Sequence, residues 1–92
     1  MVFKGAEIST RLTKLPGWSS INDQQLRKEY KFPDFATALA FVNRVGLAAE
    51  ARNHHPDIYL TWGKVKIDLS THSAGGITDA DFVLAAECER VA

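Results

Sequence analysis

Residues 33–69 read PDFATALAFVNRVGLAAEARNHHPDIYLTWGKVKIDL, and the apolar period changes partway through this stretch. In the first half, Phe35, Ala38, Leu39, Val42, Val45 and Ala49 recur at three- and four-residue spacing, which is the pattern of an amphipathic helix. Asp34 is a good N-cap, because its carboxylate can accept an N–H that the first turn leaves free. The helix is expected to run to about Arg52, with an apolar face wide enough to cross a sheet. Asn53-His54-His55-Pro56 breaks it, because the residue before a proline avoids helical backbone and His55 is pushed towards an extended conformation. In the second half, Val65, Ile67 and Leu69 alternate with Lys66 and Asp68, a strand period of two. Strands are therefore expected at Ile58 to Thr61 and Lys64 to Leu69, with Trp62-Gly63 as a tight hairpin turn between them.

Upstream of this stretch, Leu26, Lys28, Tyr30 and Phe32 share one parity, and Arg27, Glu29 and Lys31 take the other. This predicts a half-buried antiparallel strand. Trp18 to Ile21 reads as a short strand, and the Asn22-Asp23 turn signal joins the two into a hairpin. Residues 6–14, AEISTRLTK, form a short helix with Ile8, Leu12 and Leu15 on one side, ended by Pro16-Gly17. Downstream, Thr71 to Gly76 is a loop. Thr78 opens a last helix, with Asp81 in the place of the usual Glu of a capping box. Leu84, Ala85, Cys88 and Val91 form its buried stripe. The order α-β-β-α-β-β-α gives an α+β fold: a four-stranded antiparallel sheet with three helices packed on one face.

The 92 residues suit one domain spanning residues 1–92 with a single core. Eleven Lys and Arg balance eleven Asp and Glu, so there is no cationic stripe of the kind a nucleic-acid binder carries. Cys88 is the only cysteine, which rules out an internal disulfide and fits a small buried apolar residue. No apolar run approaches the ~20 residues that span a bilayer, and MVFKGAEIST has no signal-peptide core. These features lead to the expectation of a cytoplasmic protein without a membrane segment. A domain of this size gains stability by oligomerising, and the open strand edges offer natural contacts.

The three histidines of the chain lie in two loops: His54 and His55 after the central helix, and His72 after the last strand. A tight hairpin at Trp62-Gly63 brings these loops to the same end of the sheet. Three readings of the cluster compete. In the first, each histidine is a hydrogen-bonded or surface residue without chemistry, although loops on a rigid scaffold often carry function. In the second, three imidazoles hold a catalytic zinc with one open position, and Asp57 or Asp81 is an extra ligand or orienting group. Against this, neighbouring side chains on extended backbone point opposite ways, and neither HExxH nor a cysteine pair is present. In the third, the imidazoles work without metal as acids and bases, since their pKa of ~6.5 suits proton exchange near neutrality. No serine sits in a GxSxG elbow, so a covalent nucleophile has no support. Ala74-Gly75-Gly76 is neither GxGxxG nor a P-loop, so a nucleotide site has none either. That loop is either a flexible turn or a place where a planar ligand approaches backbone amides.

Asn53-His54-His55-Pro56-Asp57, Leu69-Ser70-Thr71-His72, Ala74-Gly75-Gly76-Ile77-Thr78 and Asp81-Phe82 together closely resemble the pterin-4a-carbinolamine dehydratases. Gly17-Trp18, Phe32-Pro33-Asp34-Phe35, Arg44-Val45 and Ala49-Glu50 extend the resemblance over nearly the whole chain. The resemblance implies dehydration of a 4a-hydroxytetrahydropterin to quinonoid dihydropterin and water, within tetrahydropterin recycling. It implies His54, His55 and His72 as the acid–base set. Asn53 and Ser70, Thr71 and Ser73, together with those histidines, would line the pterin pocket. Glu50, Pro56 and Asp81 would be supporting residues, Asp81 by orienting a histidine. It also implies no cofactor, no metal and assembly as a homodimer or homotetramer. Ile58 stands where animal members often have an aromatic residue. Some animal members of the family also act as dimerisation partners of a transcription factor, so a protein-interaction or transcriptional-cofactor module is the alternative function.

Overall fold

The computed structural model describes residues 1–92. Its elements are α1 (Gly5–Leu12), β1 (Ser19–Ile21), β2 (Gln25–Lys31), α2 (Phe35–Arg52), β3 (Asp57–Thr61), β4 (Lys64–Leu69) and α3 (Asp79–Val91), with a one-turn 3₁₀ helix at His72–Ala74. The four strands form one antiparallel sheet in the order β1-β2-β4-β3. The α+β fold and the element order expected from the sequence are both present.

The two hairpins meet at β2 and β4, which pair from Leu26 opposite Leu69 to Lys31 opposite Lys64. Because β2 and β3 are each antiparallel to β4, they run parallel to one another with β4 between them. A parallel return needs a long crossover, and the 18 residues of α2 supply it. Thr61 pairs with Lys64 across Trp62-Gly63, so the turn is as tight as its sequence indicates. A Cβ on Gly63 would lie 2.9 Å from the carbonyl oxygen of Phe32, which is why only glycine fits where the hairpin tip meets the end of β2.

The core lies between the sheet and the helices. Leu26, Val65, Ile67 and Leu69 from the sheet are fully buried with Ile8, Phe41, Val45, Ile77 and Leu84. Tyr30 packs on Phe41 at a ring-centroid distance of 4.6 Å, and Phe32 does so at 5.2 Å. On the opposite sheet face, Arg27 makes a bidentate pair with the buried carboxylate of Asp68, at 2.7 and 3.0 Å.

Three sequence expectations need correction. The first helix spans Gly5–Leu12 rather than residues 6–14, and Pro16-Gly17 does not end it. Instead, the amides of Thr13 and Lys14 bond back to the carbonyls of Thr10 and Arg11, tightening the last turn before proline is reached. The buried stripe of α2 is Ala38, Phe41, Val45 and Ala49, while Phe35 and Leu39 are exposed. The sheet covers a narrower stripe than the apolar pattern allows, and Phe41 is its largest member. The first strand begins at Ser19, one residue after the expected Trp18, whose indole is instead buried in the core.

A second polar junction joins the first hairpin to α3. Trp18 Nε1, Lys28 Nζ and the Tyr30 hydroxyl all donate to Glu89 Oε2, the first two at 3.3 and 2.8 Å. Burial works to raise the Glu89 carboxyl, but the hydrogen bonds from Lys28, Tyr30 and Trp18 outweigh it and hold the group below the ordinary carboxylate range. Burial, then the bond to Glu89, pushes the Tyr30 phenol well above its usual value. Cys88 is buried beside this junction, and desolvation raises its thiol to about 12, so it behaves as a small apolar residue.

Candidate active site

Helix α2 ends at Arg52, and Asn53 terminates it in the left-handed region with φ 50°. Asn53 tolerates this conformation better than most residues, and its amide bonds back to the Glu50 carbonyl at 3.1 Å. The amide of His54 reaches the Ala49 carbonyl at 3.2 Å, so the chain leaves the helix in a fixed direction. Asp57 pairs with Asp68 across β3 and β4. The segment entering β3 and the segment leaving β4 therefore meet at one end of the sheet, as the tight hairpin implies.

At that end the adjacent histidines take different partners. His54 is largely buried, and its Nε2 lies 2.6 Å from Oδ1 of Asp81 on α3. His55 is exposed, and its Nε2 lies 2.5 Å from Oε2 of Glu50, one turn back on α2. His72 is exposed at the start of the 3₁₀ turn, immediately after Thr71.

Asp81 connects the two loops. It is fully buried, with 0% of its surface exposed. Its Oδ2 accepts from the backbone N–H of Thr78 at 2.9 Å and from the hydroxyl of Thr71 at 2.8 Å, which leaves Oδ1 for His54. The bond from the Thr78 amide is the helix cap that the sequence indicates. The same carboxylate thus caps α3 and orients an imidazole. The Thr71 and Thr78 hydroxyls also touch each other, at 2.7 Å. In the sequence, Thr78 stands out as a helix start and as the end of the Ala74-to-Thr78 motif, not as a partner of Thr71. The Thr71-to-Gly76 span closed on itself is the sign that brings its hydroxyl into the site: Thr71 pairs with Gly76 as an isolated bridge, and Gly75 turns the chain with φ 78°.

The remaining expected residues surround this frame. Asn53 and Ser73 are exposed, Pro56, Ser70 and Thr71 are half-buried, and Glu50 is exposed. The Thr71 hydroxyl is committed to Asp81 rather than free for a ligand. The structure gathers no three His, Cys, Asp or Glu side chains in a geometry that could hold a metal ion. The largest grooves of the chain lie elsewhere. One of about 370 Å³ is bounded by Arg44, Arg52, Glu87 and Arg90, and one of about 350 Å³ by Arg11, Lys14 and Phe82. Neither contains a histidine, so the site is assigned on burial and hydrogen bonding rather than on concavity. Chemically, the arrangement offers one imidazole held rigidly by a buried carboxylate, and two exposed imidazoles able to exchange protons with a molecule laid across that end of the sheet.

The fold and the sequence as a whole are similar to those of known proteins. The sequence model of the family described as Pterin 4 alpha carbinolamine dehydratase matches residues 2–91. A Rubrobacter xylanophilus protein named "Putative pterin-4-alpha-carbinolamine dehydratase" is 46% identical over 88 residues, covering 96% of this chain and 82% of that protein. A Roseiflexus castenholzii protein of the same name is 48% identical over 86 residues, covering 94% and 91%. The crystal structure of a "transcriptional coactivator/pterin dehydratase" from Brucella melitensis superposes with a TM-score of 0.95 at 30% identity, covering 100% of this chain and 99% of that one. A pterin dehydratase-like protein described as a RuBisCO assembly factor of the alpha-carboxysome shares the fold, with a TM-score of 0.66 at 21% identity over 80% of this chain and 84% of that one. With the family match running over almost every residue and relatives near half identity across the same span, the chain belongs to the pterin-4-alpha-carbinolamine dehydratase family.

Proposed function

We propose that this chain removes water from a 4a-hydroxytetrahydropterin by histidine acid–base catalysis, regenerating quinonoid dihydropterin for reduction within tetrahydropterin recycling. The observation that carries this reading is the buried Asp81 carboxylate holding His54 at 2.6 Å. The reaction needs no nucleophile. The N5–H proton is taken by a base, the N5 electron pair forms the N5=C4a double bond, and the C4a–O bond breaks. The departing hydroxide takes a proton from an acid and leaves as water. One proton is removed and one delivered, so a pair of imidazoles in opposite protonation states balances the turnover. Acid–base groups positioned in this way contribute ~10²–10⁴-fold each. His55 and His72 are the candidates for the second role, and Asn53, Ser70 and Ser73 for contacts to the pterin ring. No cofactor or metal enters this scheme. The reading includes a homodimer or homotetramer, which sedimentation equilibrium would report directly, and a cytoplasmic setting.

The test is stopped-flow absorbance on 4a-hydroxytetrahydropterin generated in situ by an aromatic amino-acid hydroxylase. Wild type is expected to accelerate formation of quinonoid dihydropterin, and the His54→Ala, His72→Ala double variant to lose most of that acceleration. A wild-type rate equal to the spontaneous one overturns the reading.

A second reading is a protein-interaction role on the same fold. It is favoured by the coactivator half of the Brucella melitensis protein's description and by Leu47, Leu39 and Phe35 of α2, which are 72%, 40% and 44% exposed. A phenotype that survives replacement of all three histidines by alanine would make that role primary.

A further inference from the structure

We propose that Thr71 and Thr78 form a hydroxyl relay which, acting through Asp81, locks His54 as its Nε2–H tautomer and leaves Nδ1 as the atom through which His54 exchanges protons. The proposal rests on the dehydratase reading for its catalytic consequence, but its structural part stands apart from it.

The donors and acceptors around Asp81 fix where each proton lies. Asp81 as a carboxylate only accepts. Its Oδ2 receives the Thr78 backbone N–H at 2.9 Å and the Thr71 hydroxyl at 2.8 Å. A threonine hydroxyl carries one proton, so Thr71 has none left for its 2.7 Å contact with Thr78. The proton in that contact therefore belongs to Thr78, and the chain of donation has a single direction, from Thr78 to Thr71 to Asp81. With Oδ2 occupied by two donors, Oδ1 faces His54 Nε2 at 2.6 Å, and the proton there must come from the imidazole. Neutral His54 is thus protonated on Nε2 and carries its lone pair on Nδ1.

Two further observations complete the picture. Nδ1 has no hydrogen-bond partner in the chain, and no buried side-chain polar atom is left unpaired, so Nδ1 keeps some access to solvent. The relay is also held in place by backbone. The Thr71 amide donates to the Gly76 carbonyl at 2.8 Å, and the Thr71 carbonyl accepts from Ala74 and Gly75 at 3.0 Å each. Thr71 and Thr78 are positioning residues, not catalytic ones, because neither touches the reacting atoms. When His54 takes up a proton at Nδ1, the imidazolium remains bonded to the Asp81 carboxylate, which stabilises it without itself accepting the proton.

The experiment is ¹⁵N–¹H correlation of the imidazole nitrogens in the full chain, assigned with His54→Gln. Wild type is expected to show a protonated Nε2 and an unprotonated Nδ1 for neutral His54. Thr71→Val removes the donor to Asp81. With only the Thr78 amide left on Oδ2, the carboxylate is free to turn away from His54 Nε2, so the variant is expected to mix the two tautomers and lower kcat roughly tenfold with KM little changed, the rate equivalent of one hydrogen bond's worth of positioning. Thr71→Ser is expected to restore both. Thr78→Val removes only the outer hydroxyl and is expected to give a smaller change in the same direction. An Nδ1–H tautomer in wild type overturns the proposal, whatever the threonine variants do. A folded Thr71→Val with wild-type tautomer and kcat overturns it as well. The tautomer is read without substrate, so a chain with the expected tautomer but no dehydratase activity would sink the functional reading and leave the relay standing.

Discussion

His54 with Asp81 and His55 with Glu50 are two carboxylate–imidazole pairs on consecutive histidines, with contacts of 2.6 and 2.5 Å. Distance does not separate them, but burial does. Asp81 is 0% exposed and His54 16%, whereas Glu50 is 74% exposed and His55 56%. Asp81 is held from behind by Thr71 and Thr78, while Glu50 makes its contact from the surface of α2. An exposed pair gives up part of its Coulomb attraction to solvent and to side-chain entropy. A buried carboxylate bonded at both oxygens holds one geometry, and solvent does not make up for a partner that is lost. The lesson is that the same two groups act as a fixed frame in one place and as an adjustable contact in the other.

The largest break in this comparison is expected from His54→Gln, with a loss of ~10²–10⁴-fold in kcat, the usual value of one acid–base group. His55→Gln is expected to fall well short of that in the same stopped-flow assay. Next comes Asp81→Ala, which orphans the Thr71 hydroxyl, the Thr78 amide and the His54 Nε2–H together. At ~1–3 kcal/mol per buried unpaired group, urea denaturation is expected to show one of the most destabilised single variants of the domain. Glu50→Ala, by contrast, is expected to cost at most about 1 kcal/mol, less at high salt.

A third carboxylate sharpens the contrast, because Glu89 is held by three donors and none of them is a histidine. Its folded-state pKa lies below the ordinary 4.5, so its contribution is fully present above about 4.5 and is lost as pH falls through the folded value. Tyr30 is raised above its ordinary 10.0, so its contribution is present below about 10 and is lost as pH rises beyond it. Thermal melting across pH is therefore expected to show a plateau between these limits. Glu89→Gln is expected to lower the plateau and flatten its acid shoulder. An unchanged acid shoulder in that variant would remove Glu89 from the account. The smallest expected effect is that of Glu50→Gln on stability, within about 0.5 kcal/mol by the same melts.

Much of this was legible in the sequence. The period change at Asn53-His54-His55-Pro56, the two-residue turn at Trp62-Gly63 and the Asp34 cap lie in local patterns, and local physics decides them. The three histidines in two loops could be brought to one end of the sheet by topology alone. Other features depend on distances that the sequence does not carry. That the α2 stripe turns on Phe41 rather than Phe35 and Leu39 depends on where the sheet meets the helix. The convergence of Trp18, Lys28 and Tyr30 on Glu89 joins the first hairpin to the last helix and has no local signal. The division of Asp81 between Thr71, Thr78 and His54 is visible only once α3 sits beside both loops. The capping pattern marks Asp81 as a helix cap, and a role in orienting a histidine enters only with the zinc reading and the resemblance.

If the buried pair, and not the exposed one, prepares the reacting imidazole, the two carboxylates must differ in kinetics. The most direct measurement is kcat for dehydration of 4a-hydroxytetrahydropterin by Asp81→Asn and Glu50→Gln side by side, since both substitutions keep shape and remove charge. A loss of about 100-fold or more is expected for Asp81→Asn, which can no longer hold His54 in its Nε2–H form, and less than about threefold for Glu50→Gln. Equal losses in the two variants, or a larger loss for Glu50→Gln, would contradict it.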